Sequence, residues 1–186
     1  MTDIEGSGAY EEIIYEIEGP VATITMNRPD KLNALTDLTQ AEIRHALDIS
    51  ERTREVVGTV ITGAGRGFCS GVDMGALGDM SKAGSLQKQS HDHLAAEPGN
   101  PDNDPNFKSS PTYFLGLRKP LIAAVNGACA GLGFSYATFC DMRFVDKTAR
   151  FITSFGPRGL IAEHGTSWML PRLVGPSNAL DVLWSS

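Results

Sequence analysis

KPLIAAVNGACAGLGFSYATFCD, residues 119–141, changes character twice along its length. PLIAAVNG is a short apolar run closed by a glycine, the pattern of a buried strand, and FSYATFCD reads as a buried helix. Gly131 and Gly133 sit at the mouth of that helix, whose first backbone N–H groups have no partner inside it. A helix N-terminus carries partial positive charge, so those groups suit an anion or a developing oxyanion. A strand, a tight glycine turn and a buried helix therefore follow one another here, and the flanking sequence offers more of the same parts.

Upstream, EIIYEIE (Glu12 to Glu18) and PVATITM (Pro20 to Met26) are β-branched, partly alternating runs parted by Gly19, which predicts an antiparallel hairpin. TDLTQAEIRHALDISER follows, with Leu38, Ile43, Leu47 and Ile49 near helical spacing and Thr36 or Asp37 as the cap. Val56 to Thr62 predicts a short buried strand. Downstream, Met142 to Val145 and Ala149 to Ile152 predict short strands, and Thr166 to Leu173 and Asn178 to Trp184 predict helices. The pattern is that of an α/β chain. Between Asp79 and Pro111 the residues turn to Ser, Asn, Asp, Gly and Pro with little apolar periodicity. That composition predicts a flexible loop insertion over 79–111, with a short helix near Ser85 to Ala96. LDVLWSS closes the chain inside a helical pattern, so the expectation is a core domain over 1–186 cut short at its C-terminal end.

The 186 residues, 41% hydrophobic and 20% charged, suit a globular domain with a true core. A formal net charge of −6 without a Lys/Arg cluster argues against non-specific nucleic-acid binding, because phosphate contacts need a basic surface. Cys69, Cys129 and Cys140 are widely spaced and form no CxxC pair, which suggests neither a disulfide framework nor a zinc site and fits a reducing cytoplasm. Cys69 and Cys140 read as small buried residues. No apolar run reaches the length of a membrane span and MTDIEGSGAYEE has no apolar core, so neither export nor a membrane partner is expected.

A second glycine-bearing stretch, GAGRGFCSGVDM (residues 63–74), follows the predicted Val56 to Thr62 strand. No Lys-Ser/Thr completes a Walker A loop, and Gly63-x-Gly65 alone is weak evidence for a dinucleotide site. In isolation it reads as a structural turn.

Taken together, NRPDKLNAL (27–35), GRGFCSGVDM, residues 119–141 and the closing ARF…GL…SWMLPRLVG occur in one order and spacing, and in these the chain resembles the enoyl-CoA hydratase/isomerase (crotonase) family over nearly its whole length. The resemblance implies a crotonase-like α/β superhelix of repeated ββα units, here without the C-terminal trimerisation helices. It also implies homotrimers or hexamers and an acyl-CoA thioester as substrate, with no separate cofactor. The thioester carbonyl would lie between the backbone amides of Val72 and Leu132. Leu132 stands where the family usually has glycine, which keeps the N–H donor while narrowing the pocket. Lys31, Asn33, Ala34 and Leu35 match the loop that wraps the CoA, with Lys31 as phosphate partner. Gly71, Asp73 and Met74 flank Val72 on the CoA-binding stretch, with Asp73 fixing the loop. A second reading of the first loop stands beside this one: Lys31 as a solvated surface lysine, with Leu32 and Leu35 in the core.

The chain also departs from the family. A hydratase there holds and deprotonates water with two glutamates. Their positions carry Ser135 and Phe155; a serine can hold water but not take its proton unaided, and a phenylalanine does neither. Glu163 and His164, in GLIAEHGTSW, occupy a wall where small residues and glycine are usual. Counted back from SWMLPRLVG, Glu163 falls on the nucleophilic aspartate of the branch that dehalogenates 4-chlorobenzoyl-CoA. Glu163 is therefore the expected base or nucleophile, with His164 orienting it and Ser135 lining the pocket or holding water. The competing reading is that Glu163 and His164 cap the helix starting near Thr166. His91-Asp92-His93 lacks a third nearby ligand, so no metal is expected. The resulting expectation is an acyl-CoA-processing lyase or isomerase, its rivals being a non-catalytic acyl-CoA-binding protein and an inactive fragment.

Overall fold

A computed structural model describes residues 10–75 and 91–185. The predicted hairpin forms: β1 (Ile13–Glu18) and β2 (Val21–Met26) pair antiparallel, Ile13 opposite Met26 and Glu18 opposite Val21. Gly19 takes φ +55 in the tight Gly19–Pro20 turn, a conformation that glycine adopts without strain.

Helix α1 (Asp37–Arg52) starts at a capping box. The Thr36 hydroxyl accepts the Thr39 N–H at 3.0 Å, and the Thr39 hydroxyl accepts the Thr36 N–H at 3.2 Å. Ile43, Ala46 and Leu47 form its buried face, whereas Leu38 and Ile49 are only partly covered. The Glu42 carboxylate, also buried, accepts the backbone N–H groups of Glu11 and Glu12 at 2.7 and 2.9 Å and so fastens the start of β1 to this helix.

The remaining strands are β3 (Gly58–Gly63), β4 (Gly67–Cys69), β5 (Leu121–Val125), β6 (Ala128–Ala130), β7 (Met142–Val145) and β8 (Phe151–Ile152). β3 starts at Gly58 rather than at Val56 because its partner β2 starts opposite it at Val21; Val57 lies exposed just outside the ladder. The larger sheet has the order β1-β2-β3-β5-β7 and is parallel beyond the hairpin, and the smaller has the parallel order β4-β6-β8. From β3 onward successive strands alternate between the two sheets. Helices α2 (Leu132–Phe139) and α3 (Thr166–Val174) follow β6 and β8, and α4 (Pro176–Ser185) follows α3. This is the α/β pattern that the sequence predicts, arranged in the stacked ββα units that the family resemblance implies. All of α2 is buried, as its apolar composition requires. Among the described residues no helix is long and apolar enough to cross a membrane.

Residues 79–90 of the predicted 79–111 insertion, with half of the helix expected near Ser85 to Ala96, lie outside the described residues. From His91 onward the expected helix is only a short 3-10 turn, Asp92–Leu94, before Pro98, Gly99 and Pro101 interrupt any regular structure. This segment is tied to α1. The Arg44 guanidinium donates to the Ala96 and Lys108 carbonyls at 2.8 and 3.1 Å and lies over the Tyr113 ring.

Asn33 fixes the loop between β2 and α1. Its amide accepts the Arg28 N–H at 2.9 Å and donates to the carbonyls of Ala64 and Gly67 at 2.9 and 2.8 Å, at a φ of +56 that asparagine tolerates better than most residues. Replacing it leaves buried acceptors unpaired. Asn33→Ala is expected to lower stability by about 2–3 kcal/mol in a urea titration, with the unfolding slope unchanged.

Candidate active site

The two glycine turns meet. Gly71, after β4, has φ +106, and a Cβ there would lie 3.2 Å from the Ala130 carbonyl oxygen and 3.5 Å from the Leu132 nitrogen. A Cβ on Gly133 would come within 2.4 Å of the Cys69 carbonyl oxygen, closer than real Cβ atoms approach. The first turn of α2 therefore rests directly on the end of β4, backbone against backbone.

The pairing around Val72 aims its amide. Leu35 N–H donates to Gly71 O at 2.8 Å and Asp73 N–H to Leu35 O at 2.9 Å, so the bridge between Leu35 and Val72 uses the groups on either side of Val72. No acceptor among the described residues takes the N–H of Val72 or of Leu132. Gly131 caps α2 without a side-chain bond, so no capping oxygen competes for those donors. Two backbone donors beside a helix N-terminus can donate to a negatively charged oxygen.

A cavity of about 430 Å³ opens at this point, lined by Val72, Leu132, Phe155, Arg158, Glu163 and His164 among others. A hollow of about 760 Å³ along α1 is larger but is lined by surface side chains such as Asp37, Gln40 and Lys108, away from the free amides. Glu163 Oε2 lies 3.7 Å from His164 Nε2, with both side chains partly exposed. His164 holds φ +53 on the loop entering α3. Burial pushes its imidazole below the ordinary value of 6.5, against the opposing pull of the Glu163 charge. Neither side chain caps α3: the cap is Gly165, with no side-chain bond, and the bond to Thr166 N–H comes from the Glu163 carbonyl. The geometry thus places both side chains on the cavity instead of at the helix end.

Other expected site residues lie elsewhere. Ser135 does not line the cavity: it is fully buried on α2, and its hydroxyl shares a 2.8 Å hydrogen bond with that of Thr166. The reason is helix geometry, since Ser135 lies on the face of α2 turned toward α3, where its hydroxyl needs a buried partner. Phe155 covers part of the wall with a ring that is almost wholly buried. On the first loop Lys31 is exposed, while Asn33, Ala34 and Leu35 are buried, so a ligand there meets Lys31 and main chain. Asp73 accepts an ion pair from Arg28 at 2.9 Å, and Met74 is exposed, its Sδ 3.7 Å from Arg158. Sequence reasoning overlooked Arg28, Arg158 and Thr166, whose partners lie 45, 84 and 31 residues away.

The enoyl-CoA hydratase/isomerase family profile matches residues 16–185. A "Probable enoyl-CoA hydratase" of Mycobacterium tuberculosis is 35% identical over 94% of this chain and 62% of its own length. The 1,2-epoxyphenylacetyl-CoA isomerase of Escherichia coli is 33% identical over 92% of this chain and 62% of its own. The crystal structure of an enoyl-CoA hydratase from Mycobacterium marinum superposes with a TM-score of 0.68 at 38% identity, over 94% of this chain and 70% of that one. Stacked ββα units with two free amides at their junction define a crotonase-fold protein, and the chain belongs to the enoyl-CoA hydratase/isomerase family. It spans about 62% of the length of those first two relatives.

The depressed His164 value has a definite sign. Folding favours the neutral imidazole, so any stability from this site is complete above pH 6.5 and is lost as pH falls through and below that value. In a proton NMR titration the His164 midpoint is expected below 6.5, and Glu163→Gln, by removing the attractive charge, should lower it further.

Proposed function

We propose that this chain binds an acyl-CoA thioester with its carbonyl oxygen on the Val72 and Leu132 amides and moves a proton on the acyl part with Glu163. The observation that carries the reading is a carboxylate on the same cavity as two unpaired amides. A carboxylate can remove a proton beside the thioester carbonyl, the electron pair passing into that carbonyl to give an enolate whose oxyanion the amides hold. Returning the proton at another carbon shifts the double bond and restores Glu163. Isomerisation needs only this one shuttle. Water addition uses a second acid in the family, and Ser135 and Phe155 occupy both usual acid positions. His164, whose burial favours the neutral imidazole, can orient the Glu163 carboxylate or share its proton. Lys31 offers the exposed cation for a CoA phosphate.

Three free, buried cysteines suit a reducing compartment such as the cytoplasm. Self-association into trimers or hexamers is supported by exposed apolar side chains on β7, the loop between β8 and α3, and α4, including Phe144 at 62%, Ile161 at 80% and Trp184 at 77%. Sedimentation is expected to show a species of three or six copies of the 19.9 kDa chain, and a stable monomer at micromolar concentration would reject that assembly.

Incubation with crotonyl-CoA and with its β,γ-unsaturated isomer, followed by chromatography and intact mass of the thioesters, tests the reaction. Interconversion without mass change supports isomerisation, a water adduct supports hydration, and binding without turnover supports a binding protein. Glu163→Gln is expected to reduce turnover by at least ~100-fold while thioester binding persists. Unchanged turnover rejects its catalytic role.

A further inference from the structure

Arg158 is the sole lysine or arginine among the described residues lining the 430 Å³ cavity. It closes the 3-10 turn Gly156–Arg158, on the same loop as Phe155 and Glu163. Arg28, Arg52 and Arg118 each pair with a carboxylate, and Arg44 and Arg143 donate to backbone carbonyls. Among the described residues Arg158 has none of these: its guanidinium reaches the Met74 thioether, 3.7 Å from Nη1, which is a weak acceptor. Glu163 lines the same cavity without forming an ion pair with it.

Val72, Leu132, Phe155 and Leu160 form the apolar part of this cavity and Glu163 is its one carboxylate, and among the described residues no carboxylate forms an ion pair with the Arg158 guanidinium. Its planar fork matches a carboxylate, and such charge-assisted pairs are stronger than neutral ones. Resting on the acyl-CoA reading above, we infer that Arg158 selects acyl groups that carry a carboxylate at their far end, the monothioesters of dicarboxylic acids. A CoA phosphate presents a similar oxyanion. The position favours the acyl carboxylate, because Arg158 shares its loop with Phe155 and Glu163, whereas Lys31, the cation assigned to phosphate, lies off this cavity. The pairing leaves Glu163 free for proton transfer.

Isothermal titration of the intact protein with butyryl-CoA, glutaryl-CoA and free CoA tests the assignment without needing turnover. The expected result is a glutaryl-CoA Kd about tenfold below that of butyryl-CoA. Arg158→Gln should erase that preference while the butyryl-CoA Kd stays within about twofold, and Arg158→Lys should keep part of it. Arg158 is exposed and holds no buried hydrogen bond, so both variants are expected to keep the parent melting temperature. Equal binding of the two thioesters by the parent protein overturns the inference and leaves the acyl-CoA reading standing. Equal loss of affinity for all three ligands in Arg158→Gln places the residue on a CoA phosphate and also overturns it. Failure of every thioester to bind overturns both.

Discussion

Main chain meets main chain where the first turn of α2 lies on the end of β4, and there is no room for a methyl group at Gly133, whose Cβ would sit 2.4 Å from the Cys69 oxygen. Much of the candidate site follows from this contact. β4 and β6 run parallel in the smaller sheet, so both chains leave it on the same side, and the turns that follow them must share one place. Since α2 is buried along its whole length, it cannot easily tilt to relieve a larger residue at the contact. The donors that converge are backbone N–H groups. Leucine at position 132 therefore costs the site no hydrogen-bond donor, although it brings a bulkier side chain to the cavity.

A layer of buried and partly buried polar groups holds the facing turn. Asn33 bridges the loops before α1 and after β3, and the Asn126 amide donates to the Gly63 and Gly65 carbonyls at 2.8 and 2.9 Å. Arg28 lies between Glu12 and Asp73, at 3.1 and 2.9 Å. Asp73 directly follows Val72, so this pair and the Leu35 bridge together set the direction of the Val72 N–H. Arg28, Glu12 and Asp73 satisfy one another across long stretches of sequence, whereas the Asn126 side-chain oxygen is buried without a partner among the described residues.

The hairpin, α1, α2 and the two glycine turns were legible because each has a local signal: a residue period, a cap, or glycine after an apolar run. β3 was legible except for its start, which the hairpin register decides through the pairing of Val21 with Gly58. The placement of Glu163 and His164 on the cavity followed from motif spacing. Ser135 was misjudged since spacing gives a position along α2 but not its neighbour, and the neighbour is a hydroxyl on α3. Arg158 carried no signal at all. An arginine in a glycine-rich loop resembles any surface arginine until the fold closes that loop against Met74.

The loop from β8 to α3 carries Phe155, Arg158, Glu163 and His164, and it is held under strain. Ser154 and His164 both adopt positive φ, at +62 and +53, a region that costs a residue with a Cβ about 1–2 kcal/mol. Strain of this kind persists only where the surroundings over-determine the backbone. Here they do: Thr153 is fully buried at one end, and at the other a Cβ on Gly165 would press to 2.8 Å from the Phe139 ring. With both ends pinned, the residues between must turn within a fixed span, and the cavity receives Phe155, Arg158 and Glu163 from a single loop. The sheets and α2 supply the two free amides, whereas this loop supplies the side chains that stand beside them on the cavity. Chemistry and selectivity can then change by substitution in the loop while the backbone contact beneath it stays the same.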